Sequence, residues 1–151
     1  MTIDVVVNGR RVREPVEPQV TLLRFLRDHA GTTDVKYGCG EGVCGACTVL
    51  LDGAAVNSCS VLAVQADGAR VETVTALAEN GSLHPLQQEL VARGAVQCGF
   101  CTPGVVLGVI EAVRLGLAAD RPAIRRSLAG NLCRCTGYTK IVDAVEAYRD
   151  R

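Results

Sequence analysis

The chain has 151 residues with 16 basic and 16 acidic side chains, so its formal net charge is zero. A protein that binds phosphate backbones normally carries a basic excess, and this balance argues against nucleic acid as a partner. Apolar residues make up 48% of the chain, which is enough for a packed core and argues against disorder. The one unusual figure is the content of eight cysteines.

The sequence shows neither a secretory leader nor a membrane-spanning segment. Its first residues lack a basic stretch followed by an apolar one. No stretch approaches the roughly 18 uncharged apolar residues that a spanning helix needs. Glu111 and Arg114 interrupt the nearest candidate, residues 105–119. We therefore expect a cytoplasmic protein, in which disulfides are rare and groups of cysteines more often hold metals.

Residues 1–77 have the pattern of a small α+β domain. Asn8-Gly9 and Asp52-Gly53 are dipeptides typical of hairpin turns, and apolar residues alternate beside them. Thr21 can cap a short amphipathic helix that ends before Gly31. The predicted strands lie near residues 3–7, 12, 48–51 and 56, with further apolar runs at 61–64 and 71–74.

From about residue 78 the pattern becomes helical. Apolar residues recur at helical spacing in four segments, and three of these begin at a proline, which the first turn of a helix tolerates. The helices are expected to begin near Pro85, Pro103, Pro122 and Thr139. We predict that residues 78–151 form a small four-helix bundle after the α+β domain.

Four of the cysteines lie in the first domain. Cys39, Cys44 and Cys47 have the C-x4-C-x2-C spacing typical of plant-type ferredoxins, and Cys59 follows after eleven intervening residues. A [2Fe–2S] cluster binds four thiolates, so a loop that supplies three of them must fold tightly around it. Glycines permit such a path and let backbone N–H groups approach sulfur. They alternate with these cysteines at positions 38, 40, 42 and 45.

A structural zinc site is the alternative for this group, because zinc also binds four thiolates. The three-cysteine loop with its four glycines is more than a zinc knuckle requires, and Cys59 lies beyond a predicted hairpin. The spacing therefore favours an iron–sulfur cluster over zinc at this first group.

The other four cysteines form two pairs, Cys98-x2-Cys101 and Cys133-x-Cys135, with thirty-one residues between the pairs. The first pair precedes the helix at Pro103, where backbone N–H groups and the helix dipole favour anionic ligands. The second pair lies between two predicted helices, so both pairs could meet at one end of a bundle. Spacing alone leaves a second cluster, a zinc site and a redox-active Cys98–Cys101 pair open.

Three stretches surround these cysteines: GCGEGVCGACTV at 38–49, QCGFCTPG at 97–104 and LAGNLCRCTGY at 128–138. Together they resemble the iron–sulfur subunits of the molybdenum hydroxylases, the family of xanthine oxidase, aldehyde oxidoreductase and carbon monoxide dehydrogenase. The resemblance covers essentially the whole chain, and its last two stretches are its most specific part. It implies two [2Fe–2S] clusters, one held by Cys39, Cys44, Cys47 and Cys59 and the other by Cys98, Cys101, Cys133 and Cys135.

The same resemblance implies a role for each half. The first half is expected to be a β-grasp, ferredoxin-like domain and the second a four-helix bundle. The bundle cluster would lie nearer the molybdenum cofactor of a large catalytic subunit, where Gln97 and Cys135 would touch the pterin. The ferredoxin-type cluster would face the electron acceptor, usually a flavin subunit.

By this interpretation the chain is an electron-transfer subunit of an oxidoreductase and carries no substrate site of its own. Its expected partners are a large molybdopterin-binding subunit and a medium FAD-binding subunit, assembled as a dimer of heterotrimers. Two other hypotheses stay open at this point: a free two-cluster ferredoxin that shuttles between partners, and a zinc-stabilised interaction module. Relatives oxidise purines, aldehydes, N-heterocycles, carbon monoxide or aromatic acyl-CoA esters through the large subunit, so this chain does not specify the substrate.

Overall fold

The structure of the protein, a computed structural model, describes residues 1–151 and confirms the expected α+β fold. A sheet occupies the first half, and the second half is helical. The strands are β1 (Thr2–Val7), β2 (Arg10–Pro15), β3 (Thr48–Leu51), β4 (Ala54–Asn57) and β5 (Arg70–Glu72). The helices are α1 (Leu22–Arg24), α2 (Pro85–Ala92), α3 (Thr102–Arg114), α4 (Arg121–Ser127) and α5 (Thr139–Arg149).

The sheet is mixed, with the strand order β2-β1-β5-β3-β4. Strand β1 pairs antiparallel with β2, and β3 with β4, whereas β1 and β5 run parallel. Both predicted hairpin turns are confirmed. Asn8 and Gly9 have φ values of 49° and 79°, and Asp52 and Gly53 have φ values of 47° and 84°. These positive angles are those that a two-residue hairpin needs, and asparagine, aspartate and glycine adopt them readily.

An apolar core lies between the sheet and helix α1. Thr21 caps this helix as predicted, because its hydroxyl accepts a hydrogen bond from the Arg24 N–H at 3.3 Å. The helix continues as a π-helical turn over Phe25–His29, in place of the plain α-helix that the spacing predicts. Sheet and helix meet through the buried residues Ile3, Val5, Val12, Leu22, Phe25, Leu26, Val49 and Val71.

One apolar run in this half does not form a strand. The apolar run at 61–64 leads into a short 3-10 turn over Ala63–Ala66 instead of forming a strand. The reason is that the segment is tied to the start of α1: the Leu22 N–H donates to the Val61 carbonyl at 2.7 Å, and the Ala63 N–H donates to the Val20 carbonyl at 2.8 Å. The segment therefore lies alongside the helix start, with its backbone hydrogen bonds made there.

The four predicted helical segments of the second half are present and share a second apolar core. A proline occupies the first turn of α2, α3 and α4, as the sequence predicts. The core of this half includes Leu86, Leu90, Val105, Val109, Ile124, Leu128, Ile141 and Val145. Val74 and Leu77, which precede the helices, also pack against this core. None of the helices has the length and apolar character needed to cross a membrane.

The two edges of the sheet are treated differently. At the β4 edge, the Ala55 N–H donates to the Glu111 carboxylate of α3 at 2.9 Å, so the helical half covers this edge. The opposite edge strand, β2, carries Arg10, Arg11 and Arg13. Charged side chains on an open edge oppose pairing with another strand.

Replacing Phe25 with alanine is expected to lower the free energy of unfolding by about 3–5 kcal/mol, because it leaves a cavity at a fully buried site. Denaturant titration of the cluster-loaded protein, followed by circular dichroism, measures this loss. Leu117→Ala is the control, because Leu117 is 60% exposed and its loss should stay within about 0.5 kcal/mol. Equal losses in the two variants would contradict the position of Phe25 in the core.

Candidate metal centres

The first four cysteines come from two segments that the fold brings together. Cys39, Cys44 and Cys47 lie on the loop that leads into β3, and Cys59 lies in a 3-10 turn directly after β4. The β3–β4 hairpin folds Cys59 back onto the loop, where its Sγ accepts a hydrogen bond from the Gly42 N–H at 3.2 Å. The structure thus places the four residues of this group around one loop, which we call the first site.

Backbone N–H groups surround the sulfur of Cys39. The N–H groups of Glu41, Val43 and Cys44 point at Cys39 Sγ, with N···S distances of 3.3–3.4 Å. They lower the pKa of the Cys39 thiol to about 6, because they stabilise the thiolate. The same donors stabilise the negative charge of an iron–sulfur cluster and tune its potential.

Two glycines of this loop are required by close contacts. A Cβ at Gly38 would lie 2.6 Å from Cys44 Sγ. A Cβ at Gly42 would lie 2.6 Å from the Ser60 hydroxyl oxygen, and Gly42 has a φ of 75°, which side chains disfavour. The sequence prediction that glycine permits this path is confirmed at both positions.

Cys47 and Cys59 are buried, whereas Cys39 and Cys44 are partly exposed. Burial, together with the neighbouring Cys59 thiol, raises the pKa of the Cys47 thiol to about 11, although the Cys59 N–H acts in the opposite direction. A buried thiolate needs a compensating positive charge, which iron supplies when a cluster is bound.

The second four cysteines also come together, on the two loops that the sequence predicts. Cys135 Sγ lies 3.5 Å from Cys98 Sγ, and Cys101 and Cys133 interact through their side chains. Cys101 immediately precedes α3, where the backbone N–H groups and dipole of the helix favour anions. We call this group the second site.

The environment of the second site differs from thiol to thiol. Burial, followed by the neighbouring Cys133, raises the pKa of the Cys101 thiol to about 12. Burial alone would raise the pKa of Cys133, but hydrogen bonds from the Thr136 side chain and backbone, among others, hold it below its ordinary value. The Phe100 N–H lowers the pKa of the Cys98 thiol.

The thiols at both sites are arranged in pairs. Cys39 interacts with Cys44 and Cys47 with Cys59 at the first site, and Cys98 with Cys135 and Cys101 with Cys133 at the second. In a [2Fe–2S] cluster each iron takes two of the four thiolates, so this donor set fits the cluster. Neither set of four thiols is grouped around one point in the way that a single metal ion requires. A mononuclear zinc site would need four donors around one centre.

Gln97, Cys98 and Cys135 are exposed at the protein surface. The structure therefore presents one edge of the second site outward, whereas Cys101 and Cys133 are partly buried behind it. Gln97 precedes this edge in the chain, as its place in the sequence motif requires.

The two sites adjoin each other across the boundary between the halves. The Leu132 N–H, next to Cys133, donates to the Cys44 carbonyl at 2.8 Å. The Asn131 side-chain amide donates to the carbonyl of Gly45 at 3.0 Å. This direct backbone link between the loops of the two sites is not visible in the spacing of the cysteines.

The sequence alone assigns no role to three residues at the second site, Asn131, Thr136 and Tyr138. The Tyr138 hydroxyl donates to the Asn131 carbonyl at 3.0 Å and accepts from the Cys133 N–H at 2.7 Å. The Thr136 hydroxyl lies 3.1 Å from Cys133 Sγ. All three lie within the stretch 128–138, so their proximity to Cys133 and Cys135 in the chain was the available signal.

Comparison with known proteins agrees with this geometry. Residues 5–78 match the family model described as a 2Fe-2S iron-sulfur cluster binding domain, and residues 73–146 match the one described as a [2Fe-2S] binding domain. The chain is 48% identical over 143 residues to the nicotine 6-hydroxylase small subunit of Paenarthrobacter nicotinovorans, covering 95% of this chain and 86% of the relative. It is 44% identical over 149 residues to the xanthine dehydrogenase iron-sulfur-binding subunit of Escherichia coli O157:H7, covering 96% and 92%.

The chain is an iron–sulfur subunit of the molybdenum hydroxylase family. Solved structures agree with this assignment. Quinoline 2-oxidoreductase from Pseudomonas putida 86 has a chain with a TM-score of 0.90 and 42% identity, covering 99% of this chain and 96% of that one. The aldehyde oxidoreductase from Desulfovibrio desulfuricans ATCC 27774 gives a TM-score of 0.91 and 40% identity, but this iron–sulfur subunit spans only 17% of that longer chain. The ferredoxin-like character predicted for the first half is confirmed.

Gly42→Ala is expected to make the reduction potential of the first cluster more negative, because it disturbs the N–H donation to Cys59 Sγ. A hydrogen bond contributes about 1 kcal/mol, which equals about 40 mV in a one-electron couple. Redox titration followed by electron paramagnetic resonance (EPR) measures the shift. Gly31→Ala is the matched control, because Gly31 has a similar φ of 71° and no atom within 4 Å of a built Cβ. A shift of the same size in the control would show that backbone strain is the cause.

Proposed function

We propose that this iron–sulfur subunit relays electrons from the molybdenum cofactor of a large catalytic subunit, through the second site and then the first, to a flavin acceptor. Each [2Fe–2S] cluster, when bound, accepts and releases one electron at a time. The residues of this chain hold the two sites, set their electrostatic environment and keep them close to each other. Substrate oxidation, which releases two electrons, takes place on the partner.

The observation that carries this proposal is the contact between the two loops. From Cys44 Sγ a short path of bonds leads to the Cys44 carbonyl, across the 2.8 Å hydrogen bond to the Leu132 N–H, and on to Cys133. A relay needs two sites that are adjacent and held rigidly, whereas two zinc-stabilised modules need no such link. The geometry therefore supports transfer of an electron between the sites within this chain.

The ligands that we propose for the clusters are the eight paired cysteines, four at each site. The exposure of Cys98 and Cys135 supports the proposal that the second site faces the molybdenum cofactor, because a partner can approach this edge directly. Gln97, exposed beside Cys98, is proposed to hydrogen-bond the pterin, and Cys135 to touch it while binding iron. An amide offers both a donor and an acceptor to a polar heterocycle.

The first site is proposed to face the acceptor, an FAD-binding subunit. Its loop carries exposed side chains at Tyr37, Glu41 and Val43, which leaves this surface open for a partner. The assembly that we propose is a cytoplasmic dimer of heterotrimers. Relatives support a multi-subunit complex: one is named as subunit beta of the 6-hydroxypseudooxynicotine dehydrogenase complex of Paenarthrobacter nicotinovorans, at 46% identity.

We further propose that the chain has two domains, a β-grasp domain of residues 1–77 and a four-helix bundle of residues 78–151. The separate apolar cores of the two halves support this division. Helices α2, α3, α4 and α5 all contribute buried residues to the second core, which supports a bundle.

Iron and acid-labile sulfide analysis of the purified protein tests the proposal. We expect a brown protein with about four irons per chain, because each cluster contains two. Purification from the native extract should recover a large molybdopterin-containing chain in the same complex. A colourless protein with two zinc ions would refute the relay, and a stable, acceptor-reducing monomer in the extract would support a free ferredoxin instead.

Cys135→Ser is expected to abolish the EPR signal of the second cluster and to stop turnover, while the first signal stays largely intact. The reason is that Cys135 belongs to the second site only, where it pairs with Cys98. Cys47→Ser is the reciprocal variant, because Cys47 pairs with Cys59 at the first site. Loss of the same signal in both variants, or two unchanged signals in Cys135→Ser, would contradict the assignment of ligands.

Gln97→Ala is expected to slow the reduction of the clusters by substrate about tenfold or more, since it removes a hydrogen bond at the contact with the cofactor. Both EPR signals and the iron content should stay unchanged, because Gln97 is exposed and is not one of the eight cysteines. Rapid mixing with substrate, followed by the visible absorbance of the complex, measures the rate. The exposed Gln88, on α2, provides the matched control Gln88→Ala. Equal rates in both variants would remove Gln97 from the contact.

A further inference from the structure

Asn131 lies at the place where the two cysteine-bearing loops meet. It is one of only four buried polar residues, with 7% of its surface exposed. Its side-chain amide donates to the Gly45 carbonyl at 3.0 Å and to the Thr48 hydroxyl at 3.2 Å. The acceptors lie two residues before and one residue after Cys47, so the Asn131 side chain is hydrogen-bonded directly to the backbone and side chain around this cysteine of the first site.

The backbone of Asn131 is bonded to the second site. Its carbonyl accepts from the Tyr138 hydroxyl, and that hydroxyl accepts from the Cys133 N–H at 2.7 Å. Tyr138 has a φ of 69°, which is rare for a bulky side chain and is maintained only where the surroundings hold it. Asn131 thus joins a hydrogen-bonded chain that begins at Cys133 and ends at the first site.

Helix α3 closes this junction from a third side through two glycines one turn apart. A Cβ at Gly104 would lie 2.2 Å from the Gly45 carbonyl oxygen, and a Cβ at Gly108 would lie 2.8 Å from Asn131 Oδ1. Because neither glycine has a side chain, the helix packs directly against the Gly45 backbone and the Asn131 amide. The Asn131 amide therefore lies between α3 and the loop of the first site.

We propose that Asn131 is a positioning residue that sets the distance and orientation between the two clusters. This inference rests on the proposed relay and adds the residue that fixes its geometry. The step that depends on it is the transfer of one electron, in which the second cluster is oxidised and the first reduced, with no bond made or broken. Asn131 acts through Gly45 and Cys133 and ligates neither cluster.

The test measures the magnetic interaction between the two reduced clusters by EPR in the complete complex, because this interaction depends on their separation. Asn131→Ala removes both side-chain donations, and Asn131→Asp places a carboxylate against the Gly45 carbonyl while keeping the size. Gly108→Ala retains Asn131 but adds a Cβ that would lie 2.8 Å from its Oδ1 and so displace the amide. We expect each variant to change or broaden the splitting between the signals and to slow the reduction of the first cluster by substrate, with four irons retained.

Gly130→Ala is the matched control, because it changes the neighbouring residue at a position where a built Cβ meets nothing within 4 Å. This control should keep the splitting of the natural protein. An unchanged splitting in Asn131→Asp and Gly108→Ala, with both signals intact, would overturn the inference. If Asn131→Ala does not assemble, these two variants decide the question. Absence of two iron–sulfur signals in the natural protein would instead overturn the relay itself, so the two failures are distinguishable.

Discussion

The close approach of the Gly45 backbone to its neighbours is the constraint on which the rest of the structure depends. A Cβ at Gly45 would lie 2.1 Å from the Gly130 carbonyl oxygen, and its φ of 70° also favours glycine. Because this residue sits between Cys44 and Cys47, the contact brings the first site against the loop that leads to Cys133. A side chain at this position would push the halves apart and lengthen the path between the sites.

The two sites solve the same electrostatic problem by different means. At the first, glycine-rich backbone supplies N–H groups to sulfur, and the buried pair Cys47–Cys59 lies behind the more exposed pair Cys39–Cys44. At the second, the hydroxyl of Thr136 acts together with backbone N–H groups such as that of Phe100, and Cys101 lies at the start of helix α3. Each site has one pair nearer the solvent and one pair nearer the core, a polarity suited to passing an electron from one side to the other. The family's two-cluster design therefore emerges from two unrelated local folds.

Local features of the fold could be predicted from the sequence, and long-range contacts could not. The turn at Asn8-Gly9, the cap at Thr21 and the helix starts at Pro85 and Pro103 follow from residue types acting on their immediate neighbours. The spacing of the cysteines likewise predicts two groups of four, one in each half of the chain. The junction at Asn131 depends on contacts between residues more than eighty positions apart, for which the sequence holds no periodic signal. The π-helical turn after α1, whose residues Phe25 and Leu26 are buried in the core, likewise has no signal in the spacing of the apolar residues.

The contact of Glu111 with the β4 edge has a consequence for the synthesis of the chain. Each half has its own core, but the first half alone leaves the backbone of Ala55 without its partner on α3. During synthesis β4 emerges from the ribosome before residues 102–114 do, so the β4 edge lacks this cover during that interval. Uncovered edges recruit other chains and lead to aggregation. Once it is made, the helical half covers this edge in addition to holding its own cysteines. The first half produced alone would lack that cover.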